Sequence, residues 1–282
     1  MNAQVKTENV QPQTPKVDNP SLIDLLALKH SPVHFARALG IDPDPWQAEV
    51  LTSDSNRLIL NCARQTGKSS IVALMALREA LYNDKATIII ISHTLQQAAE
   101  TFRKCHDYYR RAAKPTLSIT DSVHRLELQN GSRIITLTGQ RPDSIRGFSN
   151  VSLLVVDEAA QVLEDSYTYS RPMLAVSDGR IILLSTPHGK RGFFWDSWND
   201  YQNENTENWH GVEIDADKCP RFTKAFIWSE KMRMLDWEFK QEYYCHFAEA
   251  VDSVFKAEDI NAAFSHEGIY VRDEIDLSLD DL

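Results

Sequence analysis

In the stretch "NCARQTGKSS", residues 61–70, Gly67, Lys68 and Ser69 have the types and order that hold a triphosphate. The glycine lets backbone N–H groups turn toward an anion, the lysine neutralises the outer phosphates, and the hydroxyl ligates a magnesium ion. Cys62 stands where the first glycine of GxxxxGK[ST] belongs, so the match is incomplete. Its surroundings support it. "RLILN" before it reads as a buried strand and "SSIVALMALREAL" after it as a helix whose N-terminus faces the anion. Gln65, Thr66 and Ser70 complete the loop as nucleotide contacts. Arg64 is an added cation that either meets a phosphate or is solvated.

The complementary half is "LLVVDEAA". Asp157 and Glu158 close an apolar strand, Asp157 as the second magnesium ligand with Ser69, Glu158 as the group that polarises an attacking water. Two acids at a helix N-terminus are the simpler alternative, but the two motifs together favour ATP and Mg²⁺.

These residues need a frame, and the chain supplies one. "RLILNC", "ATIIIIS", "SLLVVD" and "RIILLS" are continuous apolar runs, as in parallel strands covered on both faces. Helical stretches alternate with them: "GKSSIVALMALREALYN", "TLQQAAETFRKCHDYYRRAA" and "EAAQVLEDSYTYSRPML". The fold class is therefore α/β with a mostly parallel sheet. "HRLELQNGSRIITLTG", alternating about Asn130-Gly131, predicts an antiparallel hairpin at one edge. Helices are expected from Leu22 to Leu39 and again in "DPDPWQAEVL". After Gly192 strands fade, five of six tryptophans fall between 195 and 237, and "SEKMRMLDWEFKQEYYCHFAEA" reads as one helix. The expected organisation is a disordered arm at 1–21, a core at 22–192, a helical lid at 193–257 and an acidic tail at 258–282.

The net charge of −10 argues against a chain coated for nucleic acid, yet residues 258–282 alone contribute −7, leaving 29 bases against 32 acids in the rest. A local basic surface for DNA stays open. Its candidates are Arg103, Lys104, Arg110, Arg111 and Lys114, interleaved with Tyr108 and Tyr109, and Lys190 with Arg191; a solvated helix face is the alternative. Four cysteines without CxxC spacing fit reduced thiols rather than disulfides or zinc. No export signal or apolar run of about 18 residues is present, so a cytoplasmic chain without membrane contact is expected. The acids of "RDEIDLSLDD" have no sheet to organise them as metal ligands, and nuclease activity is not expected.

Taken together, "ARQTGKS", "DSIRGFSNVSLLVVDEA" and "LLSTPHGKRGFF" resemble the ATPase domain of the large terminase subunit of tailed bacteriophages, over about residues 40–255. The resemblance implies an ASCE-type P-loop NTPase with a small helical lid. It also implies packaging of double-stranded DNA, a homo-oligomeric ring, portal and small-terminase partners, and the cytoplasm of an infected bacterium. An altered loop with an arginine is a feature of that family. Gln47 matches its adenine-reading glutamine, or is an ordinary helix glutamine. Ser185 and Thr186 match its coupling motif, although Thr186 also suits a turn before Pro187. Arg146 matches an arginine delivered to a neighbouring subunit's site, with Arg141 and Arg64 as competitors. A helicase-like or restriction-type translocase and a non-hydrolysing nucleotide scaffold are the rival readings.

Overall fold

A computed structural model describes residues 22–112, 116–203 and 208–248. The expected arm and acidic tail, Lys114, and the acids of "RDEIDLSLDD" lie outside them.

Three short helices come first: α1 (Leu22–His30), α2 (Pro32–Ala38) and α3 (Pro45–Thr52). The Ser31 side chain accepts from the His34 amide and Pro32 opens α2, where its missing N–H costs nothing. Asp44 and Gln47 form a reciprocal capping box around Pro45. The alternation that follows is β1 (Arg57–Cys62), α4 (Lys68–Tyr82), β2 (Thr87–Ser92), α5 (Leu95–Arg111), β3 (Ser118–Asp121), β4 (Arg125–Leu128) and β5 (Arg133–Thr138). The chain continues through β6 (Leu153–Asp157), α6 (Glu164–Ser170), β7 (Arg180–Ser185), α7 (Gly192–Gln202), β8 (His210–Ile214), α8 (Lys224–Lys231) and α9 (Asp236–Tyr244).

The strands form one sheet in the order β3-β4-β5-β2-β6-β7-β1-β8. From β5 to β8 all neighbours are parallel; β3 and β4 run antiparallel at one edge, as the Asn130-Gly131 turn predicts. The β3–β4 register shifts between Ser118 and Thr120. Because the pleat alternates, Leu58, Leu60, Ile88 and Ile90 pack under α4 and α5, while Ile59, Ile89 and Ile91 face Phe193, Phe194 and Trp198 of α7. Burying each such side chain stabilises by about 1.5–3 kcal/mol. This is the layout of a P-loop NTPase. One strand, β7, separates β1 from β6, and the register pairs Asn61 with Ser185 and Leu184 with Asp157. The carboxyl ends of β1, β7 and β6 therefore emerge side by side.

Three expectations change. Strands do not end with Gly192: β8 pairs with β1, and α7, with Trp195 and Trp198, covers the sheet. The sheet-bearing core thus runs through Ile214, and only a small cluster about Ala216, Phe239 and Tyr243 packs apart from it. "EAAQVLEDSYTYSRPML" is not one helix. Glu158 is left-handed, Leu163 is extended and Pro172 lacks a donor, so a 3₁₀ turn, α6 and a second 3₁₀ turn result. The last helix splits into α8 and α9 at extended Leu235, with Asp236 and Glu238 favouring the new N-terminus, and left-handed Cys245 stops it.

Candidate active site

Cys62 is still within β1 and fully buried, so its position asks for no glycine; burial pushes its thiol up to about 12. The backbone reversal comes later, where Gln65 and Gly67 adopt φ of 58° and 88°. At Gly67 the left-handed backbone calls for glycine, and a Cβ there would also lie 2.9 Å from the movable amide end of Gln47. The loop is held from outside. Its Ala63 amide donates to the Ile214 carbonyl at 2.8 Å and its Arg64 amide to the Glu242 carbonyl at 3.1 Å. The Arg64 guanidinium pairs with the Glu242 carboxylate, and Arg221 donates to the Thr66 carbonyl and pairs with Asp44 at 2.8 Å.

Lys68 opens α4 and is buried. Its Nζ lies 3.1 Å from Glu158 Oε1 and donates to Thr186 Oγ1 at 3.2 Å. Burial opposes its charge, but Glu158 first and Asp157 next hold the ammonium above its ordinary value. Asp157, at the mouth of β6, accepts from Thr101 Oγ1 at 2.7 Å and from the Glu158 amide at 3.0 Å. Burial, aided by Glu158, raises its carboxyl, against Lys68 and hydrogen bonds from Thr101 and Ser69. Glu158 has φ 52°, ψ 45°, a conformation that costs a non-glycine residue about 1–3 kcal/mol and aims its side chain into the cleft. Ser185 Oγ lies 3.5 Å from Glu158 Oε2, accepts from the Ala160 amide and donates to the Thr186 carbonyl at 2.7 Å. A cleft of about 940 Å³ joins Arg64, Lys68, Ser69, Lys104, Glu158 and Thr186.

The geometry thus brings together Gln65, Gly67, Lys68, Ser69, Asp157, Glu158, Ser185 and Thr186, with Arg64 on the rim. Other candidates fall elsewhere. Gln47 abuts Gly67, but its Oε1 is occupied by the Asp44 amide at 3.0 Å. Ser70 bonds Tyr108 of α5, and Thr66 Oγ1 donates to the Ala63 carbonyl, so neither hydroxyl lines the cleft. Arg146 stands outside, exposed, its guanidinium 3.7 Å from the Tyr169 ring centre. Tyr108 and Tyr109 are buried and offer no stacking surface to a nucleic acid. Arg103, Arg110 and Arg111 are exposed on α5, whereas Lys104 and Arg191 turn to the cleft. Among the described residues no group of three or more His, Cys, Asp or Glu is placed to bind a metal, and no helix is long and apolar enough to cross a membrane.

Sequence reasoning missed Glu242, Arg221 and Thr101, and the turn of Lys104 toward the cleft. The first two reach the loop across more than 150 residues of chain, which leaves no local trace. Thr101 did leave one: Gln97, Thr101 and Lys104 recur at helical spacing, and all three face the site.

The family model described as terminase large subunit, T4likevirus-type, N-terminal, matches residues 59–262. The large terminase subunits of Thermus phage G20c and Thermus virus P23-45 are each 26% identical over 265 residues, covering 83% of this chain and 54% of theirs; the chain spans about half the length of these relatives. Among solved structures, the large terminase ATPase domain of Thermus phage P74-26 superposes with a TM-score of 0.68 at 23% identity, covering 76% of this chain and 97% of that one. The HK97 bacteriophage large terminase gives 0.64 at 15% identity, over 78% of this chain and 55% of that one. With the family match covering well over half of its length, and the phosphate loop and acidic strand inside that match, this chain belongs to the terminase large-subunit family.

Proposed function

We propose that this chain is an ATP-hydrolysing motor domain that drives double-stranded viral DNA into a procapsid. One observation carries the reading: Lys68 of the phosphate loop and Glu158 of the acidic strand meet at 3.1 Å where three parallel strands end. A scaffold that only binds nucleotide has no use for a carboxylate held there in a costly backbone conformation. ATP would lie over Gly67 and Lys68. Lys68, taken up by the outer phosphates, releases Glu158, which accepts a proton from a water as its oxygen attacks the γ-phosphorus and the bond to the bridging oxygen breaks, giving ADP and phosphate. Buried Asp157, with Ser69 and Thr101 bonded to it, offers the oxygen donors a hard divalent cation requires. Mg²⁺ held by Ser69 and Asp157 would neutralise charge on the phosphate oxygens.

Ser185 and Thr186 touch Glu158 and Lys68 and continue from β7 into the segment leading to α7, a direct route from chemistry to movement. Arg146, outside its own cleft, is suited to a neighbour's site in a homo-oligomeric ring. Portal protein and small terminase subunit are the expected partners, in the cytoplasm of an infected bacterium. Nuclease activity is not assigned to the described residues. The test is ATP turnover with and without duplex DNA, with the mass of the assembled species measured in parallel. DNA-stimulated turnover by an oligomer is expected. Nucleotide binding without turnover in a DNA-bound ring would favour the scaffold reading instead.

A further inference from the structure

Lys104 is one residue from Arg103, and the two point opposite ways. Arg103 is exposed and pairs with Glu100 at 2.8 Å, whereas Lys104 is half-buried and lines the cleft with Lys68, Ser69 and Glu158. The helix dictates this. Thr101, one turn earlier on α5, donates to Asp157, and Gln97, one turn before that, lines the same cleft. Lys104 makes no ion pair within 4 Å among the described residues. Burial draws its ammonium below the ordinary lysine range, with Lys68 opposing the charge and Asp157 and Glu100 supporting it. A half-buried cation without an ion-pair partner, lining the cleft beside the phosphate loop, is complementary to an anionic ligand.

We infer that Lys104 is a second lysine of the nucleotide site, contacting the terminal phosphate of a bound triphosphate from the α5 side and setting preference for triphosphate over diphosphate. The inference rests on the ATPase reading above. Lys68 already serves the loop side of the phosphates, so Lys104 contributes most where the extra charge of the γ-phosphate lies, and little once that group has gone.

The test is equilibrium binding of ATPγS and of ADP, each with Mg²⁺, to the unaltered chain and to Lys104→Met and Lys104→Arg. Lys104→Met keeps the apolar stem and removes the charge. It should weaken ATPγS by about 10- to 100-fold, the size of a lost charge-assisted hydrogen bond, and ADP by less than about threefold. Lys104→Arg should recover much of the ATPγS affinity. Equal loss for both nucleotides, the mark of a disturbed fold, would overturn the assignment, as would no loss for either. If the unaltered chain binds neither nucleotide, the ATPase reading fails and this inference with it.

Discussion

The parallel sheet and the helical segment after it are built on opposite economies. In the sheet, Leu58, Ile59, Leu60, Ile88, Ile89, Ile90 and Ile91 are fully buried, and the central strands β1, β2, β6 and β7 are covered on both faces. From Ala216 through α9, the described residues form a buried cluster of just Ala216, Phe239 and Tyr243, and Trp228 is 66% exposed, Met232 61% and Leu235 62%. The strand ends and the start of α4 supply Lys68, Asp157, Glu158, Ser185 and Thr186; the segment meets the phosphate loop and α3 chiefly through polar links, Arg64 to Glu242 and Arg221 to Thr66 and Asp44. Apolar interdigitation fixes relative position over a wide area, whereas a handful of half-exposed ion pairs and hydrogen bonds, such as Asn61 to the Cys245 carbonyl at 3.0 Å, holds it with fewer contacts. The difference implies a rigid chemical frame with a second body that can be let go and retaken.

The largest effects should therefore come from the frame. Lys68→Ala removes the buried cation that offsets Asp157 and Glu158, and ATP turnover should fall to background while circular dichroism keeps the native signal. Glu158→Gln should retain ATP binding and lose turnover by about 10²- to 10⁴-fold, the size of a general-base contribution. Unchanged single-turnover rates in either variant would dissolve the distinction between the two regions.

Arg146 tests whether one frame serves another. Arg146→Ala should reduce turnover of assembled rings by about 10³-fold. Mixing inactive Arg146→Ala with inactive Glu158→Gln subunits should restore part of it, because each retains what the other lacks. Background activity in rings shown to be mixed refutes action across an interface.

Smaller effects are expected from the links. Glu242→Gln and Arg221→Ala should each change apparent KM for ATP by less than about tenfold, as screened ion pairs allow, while the motion of α9, followed by a fluorophore, loses its dependence on nucleotide. If either abolishes turnover outright, the segment belongs to the chemistry and not beside it. The smallest effect sharpens the packing contrast: Trp228→Ala should alter unfolding free energy by about 0.5 kcal/mol or less, against about 2–5 kcal/mol for Ile90→Ala, read from urea midpoints.

What the sequence disclosed follows the same division. Continuous isoleucine and leucine runs, Gly67-Lys68-Ser69 and Asp157-Glu158 are local patterns, so the frame and its main chemistry were legible. β8 was not: its Gly211 and short length hide a strand completed by pairing with β1. The burial of Tyr108 and the turn of Lys104 toward the cleft depend on which face of α5 meets α4, which residue types alone do not state. Glu242 and Arg221 act only through tertiary approach, and Gln47 carries two meanings, adenine reader or helix cap, that composition cannot separate.

The register shift in β3 bears on a different property, the behaviour of many copies together. β3 is the outer strand at one margin of the sheet, with Ile119 67% exposed and Val123 just beyond it 70% exposed. A straight margin of that kind is a template on which a strand of another copy adds by backbone hydrogen bonding. The irregularity at Ser118–Thr120 puts the margin out of step and bends it, so an incoming strand finds no uninterrupted row of donors and acceptors. Straightening β3 by deleting Ile119 should leave nucleotide binding intact and raise light scattering as concentration increases, making this small defect a guard of solubility.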